Sequence, residues 1–291
     1  MTIRNYYLGC PIWGQKNWVG ELFTREARPG DFLQQYASVF NTVEGNTTFY
    51  GMPTETTVAR WREETPPSFR FCFKFPRVVS HNKRLVRAEA ETEQFLEIMA
   101  PLGERLGPFF LQLPPSFGVE ELPTLERFLA RLPIEFQYAV EVRHASFFNE
   151  GPTEAALDGL LADLGVDRVC FDVRGLRAAP PDDPMTREAQ EKKPDVPARF
   201  VATASRPFVR FVAHSEVEAN LPLLEEWAEV VAGWIGEGRT PFVFMHAPDD
   251  FYAPRLARHF HRLLSEQVEV GTLPRWPAEE EPPPTEQLAL F

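Results

Sequence analysis

A (β/α)8 barrel of the TIM type, a single α/β domain, is the fold class that the sequence predicts, and three observations predict it. Eight short apolar runs recur roughly every 30 residues, as successive βα units do. Segments with helical spacing fill most of the intervals. The runs are nearly continuous in apolar character rather than alternating, which suits parallel strands covered on both faces. A doubly wound open sheet is the runner-up, because closure leaves no mark in a sequence.

The first run, 6–13, is followed by a short helix over 32–40. The second, 39–48, ends in the stretch Val43-Glu44-Gly45-Asn46-Thr47-Thr48, where counting by two puts Thr42, Glu44, Asn46 and Thr48 on one face. Gly51 and Pro53 break that strand, and Thr54 opens a helix to Glu64. Strand three, 69–75, precedes a helix carrying Phe95, Ile98, Met99, Leu102 and Leu106. Strand four, 108–113, leads to Leu122, Leu125, Phe128, Leu129 and Leu132, and strand five, 138–143, to Leu157, Leu160, Leu161 and Leu164. After strand six, 168–173, a long insertion over 177–199 breaks the rhythm, with a Pro/Asp cluster and a helical piece over 185–192; it is expected to form part of a lid. Strand seven, 208–214, is followed by Leu224, Trp227, Val231 and Trp234. Strand eight, 241–246, is followed by Leu256, Phe260, Leu263 and Leu264. These apolar stripes read as core packing.

The barrel domain is expected over 1–271. Residues 272–291 form a Pro/Glu-rich tail that is too polar to order itself and ends on the apolar Gln287-Leu288-Ala289-Leu290-Phe291, a tethered peptide ligand in appearance. Net charge is −12, so the chain as a whole repels polyanions, and any phosphate or nucleic-acid contact needs a local basic pocket. Cys10, Cys72 and Cys170 are odd in number and set in apolar runs, which suits reduced core residues. No signal peptide or membrane span is legible, and the expected location is the cytoplasm.

In such a barrel, chemistry gathers where the strands run out. If the bulky apolar parity of each strand faces the helices, then Glu44, Lys74, Gln112, Glu141, Arg143, Asp172 and Arg174 point inward, with Asn46 and His144 at the tips. The bland alternative is a self-compensating ion network of three acids and three bases. Against it, apolar residues usually stabilise a core as well as a buried pair does, so converging charge suggests a ligand. Lys192, Lys193 and Arg187 on the insertion would make the mouth net positive, although an exposed lysine pair is as readily mere solvation.

The expected function is therefore that of an enzyme on an anionic substrate, a phosphate, carboxylate or nucleotide. Glu44, Glu141, Lys74 and Asp172 are the catalytic candidates, with Asn46, Gln112, Arg143, His144, Arg174, Lys192 and Lys193 as substrate contacts. A phosphoester hydrolase is one form of it; the alternative is a binding module without chemistry. Carboxylates and histidines at strand ends could ligate a metal, but the spacing lacks HxxxH or HxH and nearby cations oppose one, so no metal ligand or cofactor is assigned. Lys74 as a Schiff-base amine is weighed against the commoner role of ion-pair partner.

These residues also carry a resemblance. Val43-Glu44-Gly45-Asn46-Thr47-Thr48, Phe69-Arg70-Phe71-Cys72-Phe73-Lys74-Phe75-Pro76, Leu111-Gln112-Leu113-Pro114 with Phe117-Gly118, and Val140-Glu141-Val142-Arg143-His144 look like the YecE-like family, domain of unknown function seventy-two. The likeness continues through Arg187-Glu188-Ala189-Gln190, Lys192-Lys193-Pro194 and Met245-His246 to about residue 265. It implies a TIM barrel and the same polar tips, and it implies no activity. The tail resembles the short motif with which bacterial polymerases and repair proteins dock on the sliding clamp. On that likeness Gln287, Leu288, Leu290 and Phe291 are expected to bind the clamp as partner, which would link the barrel to DNA repair or make it a clamp-tethered adaptor.

Overall fold

A computed structural model of the chain describes residues 3–282. Eight strands occur among them, one in each predicted run: β1 (Tyr7–Gly9), β2 (Thr42–Gly45), β3 (Arg70–Phe73), β4 (Phe109–Gln112), β5 (Tyr138–Glu141), β6 (Asp167–Asp172), β7 (Phe208–Val212) and β8 (Phe242–His246). They are parallel throughout. Six form one curled sheet in the order β1-β8-β7-β6-β5-β4, and β2 and β3 pair separately.

A few backbone bonds cross the two gaps between these sheets. Glu44 N donates to Cys10 O at 3.1 Å, linking β2 to the end of β1. Gly107 N donates to Phe71 O at 2.9 Å and Phe75 N to Phe110 O at 3.0 Å, linking β3 to β4. Gly9 permits the first approach, because a Cβ there would lie 2.1 Å from the Thr42 carbonyl oxygen. Inside the curl, Cys72, Phe110, Ala139, Val169, Phe208, Phe242 and Phe244 pack together, so strands of both sheets share one inner cluster.

The helices are α1 (Phe32–Val39), α2 (Glu55–Glu63), α3 (Glu89–Met99), α4 (Leu122–Leu129), α5 (Pro152–Asp163), α6 (Arg174–Ala178), α7 (Pro184–Lys192), α8 (Leu221–Gly236), α9 (Ala253–Ser265) and α10 (Pro277–Glu280). Thr54 opens α2 by accepting from Thr57 N at 3.2 Å, and Asp183 opens α7 by accepting from Thr186 N at 2.9 Å. The predicted stripes are buried: Leu224, Trp227, Val231 and Trp234 on α8, and Leu256, Phe260, Leu263 and Leu264 on α9. Each such large side chain contributes about 2–3 kcal/mol by leaving water. No helix among the described residues is long and apolar enough to cross a membrane.

One expectation is corrected at the C-terminus. Residues 272–282, assigned by composition to an unordered tail, pack on the domain. Trp276 is buried beneath Arg258, whose guanidinium lies 3.6 Å from the ring centroid, and Arg258 pairs with Glu279 at 2.7 Å. Arg25 N also donates to the Glu281 carboxylate at 3.1 Å. One tryptophan supplies the apolar surface that a Pro/Glu count overlooks. The peptide 287–291 lies outside the described residues.

Candidate functional site: a guanidinium held between two glutamates

Arg210, in the middle of β7, organises the carboxyl ends of the strands. Its side chain is 5% exposed and points inward with Phe208, while the neighbouring Val209 and Phe211 pack against the helix layer. Nε and Nη2 donate to the two oxygens of Glu44 on β2, each at 2.7 Å, and Nη1 donates to Glu141 on β5. This fork geometry matches a carboxylate on one edge and leaves the third nitrogen for a second acid. The faces of Phe110 and Phe171 lie 5.3 and 5.5 Å from the guanidinium carbon.

The rest of the site is built on that ion triad. Asn46 donates to Glu44 Oε1 at 2.7 Å, and His246, at the end of β8, places Nε2 3.2 Å from Glu44 Oε2. Arg143 donates from Nε to Glu141 Oε1 at 2.6 Å and lies over Phe171. Lys74, just past β3, donates from Nζ to the neutral Gln112 Oε1 at 2.8 Å, and its ammonium sits 3.9 Å from the Phe49 ring centroid. Lys193, half-buried after α7, feels Arg210, Asp250, Arg143 and Glu44 electrostatically, and Asp250, after β8, feels His246, Lys193 and Glu44.

Titration follows from burial and neighbours. Burial alone would raise the Glu141 carboxyl, but Arg210, Arg143 and Lys74 outweigh it and hold it at about 2. Glu44 is depressed further by Arg210 and His246 against the same penalty. Both acids are therefore ionised and already engaged, which suits anchoring a cation better than shuttling a proton. Lys74 moves the other way: burial, then Arg210 and Arg143, lower it to about 7 despite Glu141 and Glu44. His81, whose ring meets Phe49 edge-on at 5.0 Å between centroids, is lowered to about 4 by burial and by Lys74, so it is neutral near pH 7. Burial raises Asp250 and lowers Lys193.

Of the side chains predicted to converge, Glu44, Asn46, Lys74, Gln112, Glu141 and Arg143 do meet, and Lys193 reaches them through electrostatics alone. Asp172 and Arg174 do not, and the inward orientation expected for them is corrected. Asp172 faces α8, where it accepts from Trp227 Nε1 at 2.8 Å, and it binds Arg174, which also reaches Glu226 at 2.6 Å. On β6 the parity assumption fails because the bulky Phe171 turns inward, where its face serves Arg143 and Arg210. Lys192 is exposed and paired with Glu188 one turn away on α7. Arg187 bonds carbonyls of its own loop. His144 caps the turn after β5, its Nδ1 accepting from Ser146 N at 3.2 Å. His261, on α9, is buried, with Nδ1 2.7 Å from the Tyr6 hydroxyl.

Arg210, His246, His81 and Asp250 were not assigned to the site by sequence reasoning. For Arg210 a signal existed: an arginine inside the apolar run Phe208-Val209-Arg210-Phe211-Val212 cannot be buried unpaired. No comparable signal marks His81 or Asp250, which reach the mouth through turns.

This geometry defines a class: a parallel α/β protein whose strand ends carry a buried guanidinium–carboxylate network, with an amine beside it that hydrogen-bonds a neutral amide. The chain belongs to the family described as "Protein of unknown function DUF72", which matches residues 7–281. It is 42% identical over 272 residues to the Escherichia coli K12 protein "UPF0759 protein YecE", covering 93% of this chain and 97% of that one. A more distant relative, "UPF0759 protein YunF" of Bacillus subtilis, is 24% identical over 171 residues, 56% of this chain and 60% of that one. Among solved structures, a DUF72 family protein from Thermotoga maritima aligns with a TM-score of 0.67 at 25% identity, over 89% of this chain and 99% of that one. Another, from Enterococcus faecalis, aligns with a TM-score of 0.68 at 21% identity, over 89% and 97%. None of these names carries an activity.

Proposed function

We propose that the two sheets act as one closed (β/α)8 barrel and that the chain is an enzyme acting on a small anionic substrate, phosphate- or carboxylate-bearing, at the strands' carboxyl ends. The observation that carries this reading is the charge of the mouth. Lys74, Arg143, Lys193 and Arg210 face Glu44, Glu141 and Asp250, so among the described residues cations outnumber carboxylates within a chain of net charge −12. Glu44 and Glu141 hold Arg210 and keep its field fixed. Arg143 and Lys193 receive the anion, and Lys74, which titrates near neutrality, moves the proton. A divalent metal would have to displace guanidinium groups already bonded to both glutamates.

The test is thermal stabilisation by inorganic phosphate, expected in the parent protein and lost in Arg143→Ala. Absence of phosphate stabilisation in the parent would overturn the reading. Assay of phosphoesters, nucleotides and abasic DNA with and without Mg2+, Mn2+ and Zn2+ separates two forms of it: turnover puts the chemistry at phosphorus, whereas binding alone makes phosphate a handle. The clamp link rests separately on the resemblance of Gln287-Leu288-Ala289-Leu290-Phe291 to a docking motif. Deleting 287–291 is expected to abolish binding to purified sliding clamp, and unchanged binding would remove the link.

A further inference from the structure

We propose that Lys74 is a nucleophilic amine that forms an imine with an aldehyde or ketone carried by the anionic substrate; this deepens the reading above and rests on it for the anion. The usual alternative for a lysine among carboxylates is an ion pair, and the geometry argues against it. Among the described residues no carboxylate oxygen lies within 4.0 Å of Lys74 Nζ, and the hydrogen-bond partner it does have, Gln112 Oε1 at 2.8 Å, is a neutral amide. Glu44 and Glu141, the acids that could have paired with it, are committed to Arg210 and Arg143.

The remaining lysines are unlike it. The sequence contains five. Lys16 is exposed, Lys83 pairs with Glu91 at 2.6 Å, Lys192 pairs with Glu188, and Lys193 is half-buried after α7. Lys74 alone of these is 8% exposed and walled by an aromatic face.

The groups facing it are Glu44 from β2, Glu141 and Arg143 from β5, Arg210 from β7 and His81 from the turn after β3. Burial and the two guanidiniums favour the free amine. Glu44 and Glu141 oppose them. The balance leaves the amine at about 7, so near neutrality about half the molecules carry a nucleophile. An ordinary lysine at that pH is free in fewer than about one molecule in a thousand. The chemistry needs no other reagent. Nζ attacks the carbonyl carbon, its proton passes to the oxygen to give a carbinolamine, and the second nitrogen proton leaves with the hydroxyl as water while C=N forms. Arg143 and Lys193 would hold the substrate's anionic end beside that carbon.

Reductive trapping tests it. Full-length protein is incubated with glyoxylate, an anionic aldehyde, and cyanoborohydride, which reduces the imine to a stable carboxymethyl-amine, and each modified lysine and the N-terminal amine is located by peptide mass spectrometry. At pH 7, Lys74 is expected to be labelled at least about tenfold faster than Lys16, with the rate falling as pH drops below 7. Lys74→Arg should remove that label alone. Gln112→Glu, which keeps the amine but supplies a carboxylate, should move the pH profile upward, measured with neutral propionaldehyde as well. Labelling of Lys74 no faster than Lys16, in protein that phosphate still stabilises, would overturn the amine and leave the anion site standing. Labelling by propionaldehyde without phosphate stabilisation would uphold the amine and overturn the anion site. Failure of both would remove both.

Discussion

Arg210 is almost wholly buried, and its charge is balanced by two acids that are fully buried. Removing one partner of such a set is costly because the others are left buried and uncompensated, by about 3–5 kcal/mol. Arg210→Met is therefore expected to lower unfolding free energy by that amount in urea titration, and Glu44→Gln with Glu141→Gln in the same background to restore part of it. A loss below about 1 kcal/mol would show that water already reaches the network. The same residue marks where reading from sequence stops. Glu44, Lys74, Gln112, Glu141 and Arg143 are legible because each stands in the last positions of an apolar run. Arg210 lies two residues earlier in its strand, below the tips, and no tip-based search reaches it.

Strands and helices are legible for a different reason: burial on both faces makes apolar runs that need no partner to be recognised. What is not legible is which parity faces inward, since on β6 both faces are covered. Asp167 at the start of that strand gives an element-scale prediction. It accepts from Ala204 N at 3.1 Å and Arg206 N at 3.0 Å, tying β6 to the segment that enters β7, yet burial raises its carboxyl to about 6. A folded value above the unfolded one, about 3.9, means the contribution is fully present below pH 3.9 and is lost as pH rises through 6. Unfolding free energy of the parent, relative to Asp167→Asn, should thus fall by about 2 kcal/mol between pH 4 and pH 7. A parallel pair of curves would contradict it.

At the scale of the molecule, the domain extends at least eleven residues past the boundary that composition suggests. Truncation after residue 271 removes Trp276 and Glu279 from Arg258, and the loss of a buried tryptophan costs about 3–5 kcal/mol. Calorimetry should register a drop of several degrees, matched by Trp276→Ala alone; an unchanged Tm would mean the contact is dispensable. Arg210 has a last consequence at this scale. It joins β2, β5 and β7, partners 166 and 69 positions away in the chain. Until residue 210 leaves the ribosome, Glu44 lacks the guanidinium that bonds both of its oxygens and Glu141 has Arg143 alone, so the early strands cannot complete the mouth on their own. Assembly of the mouth must wait for the seventh strand.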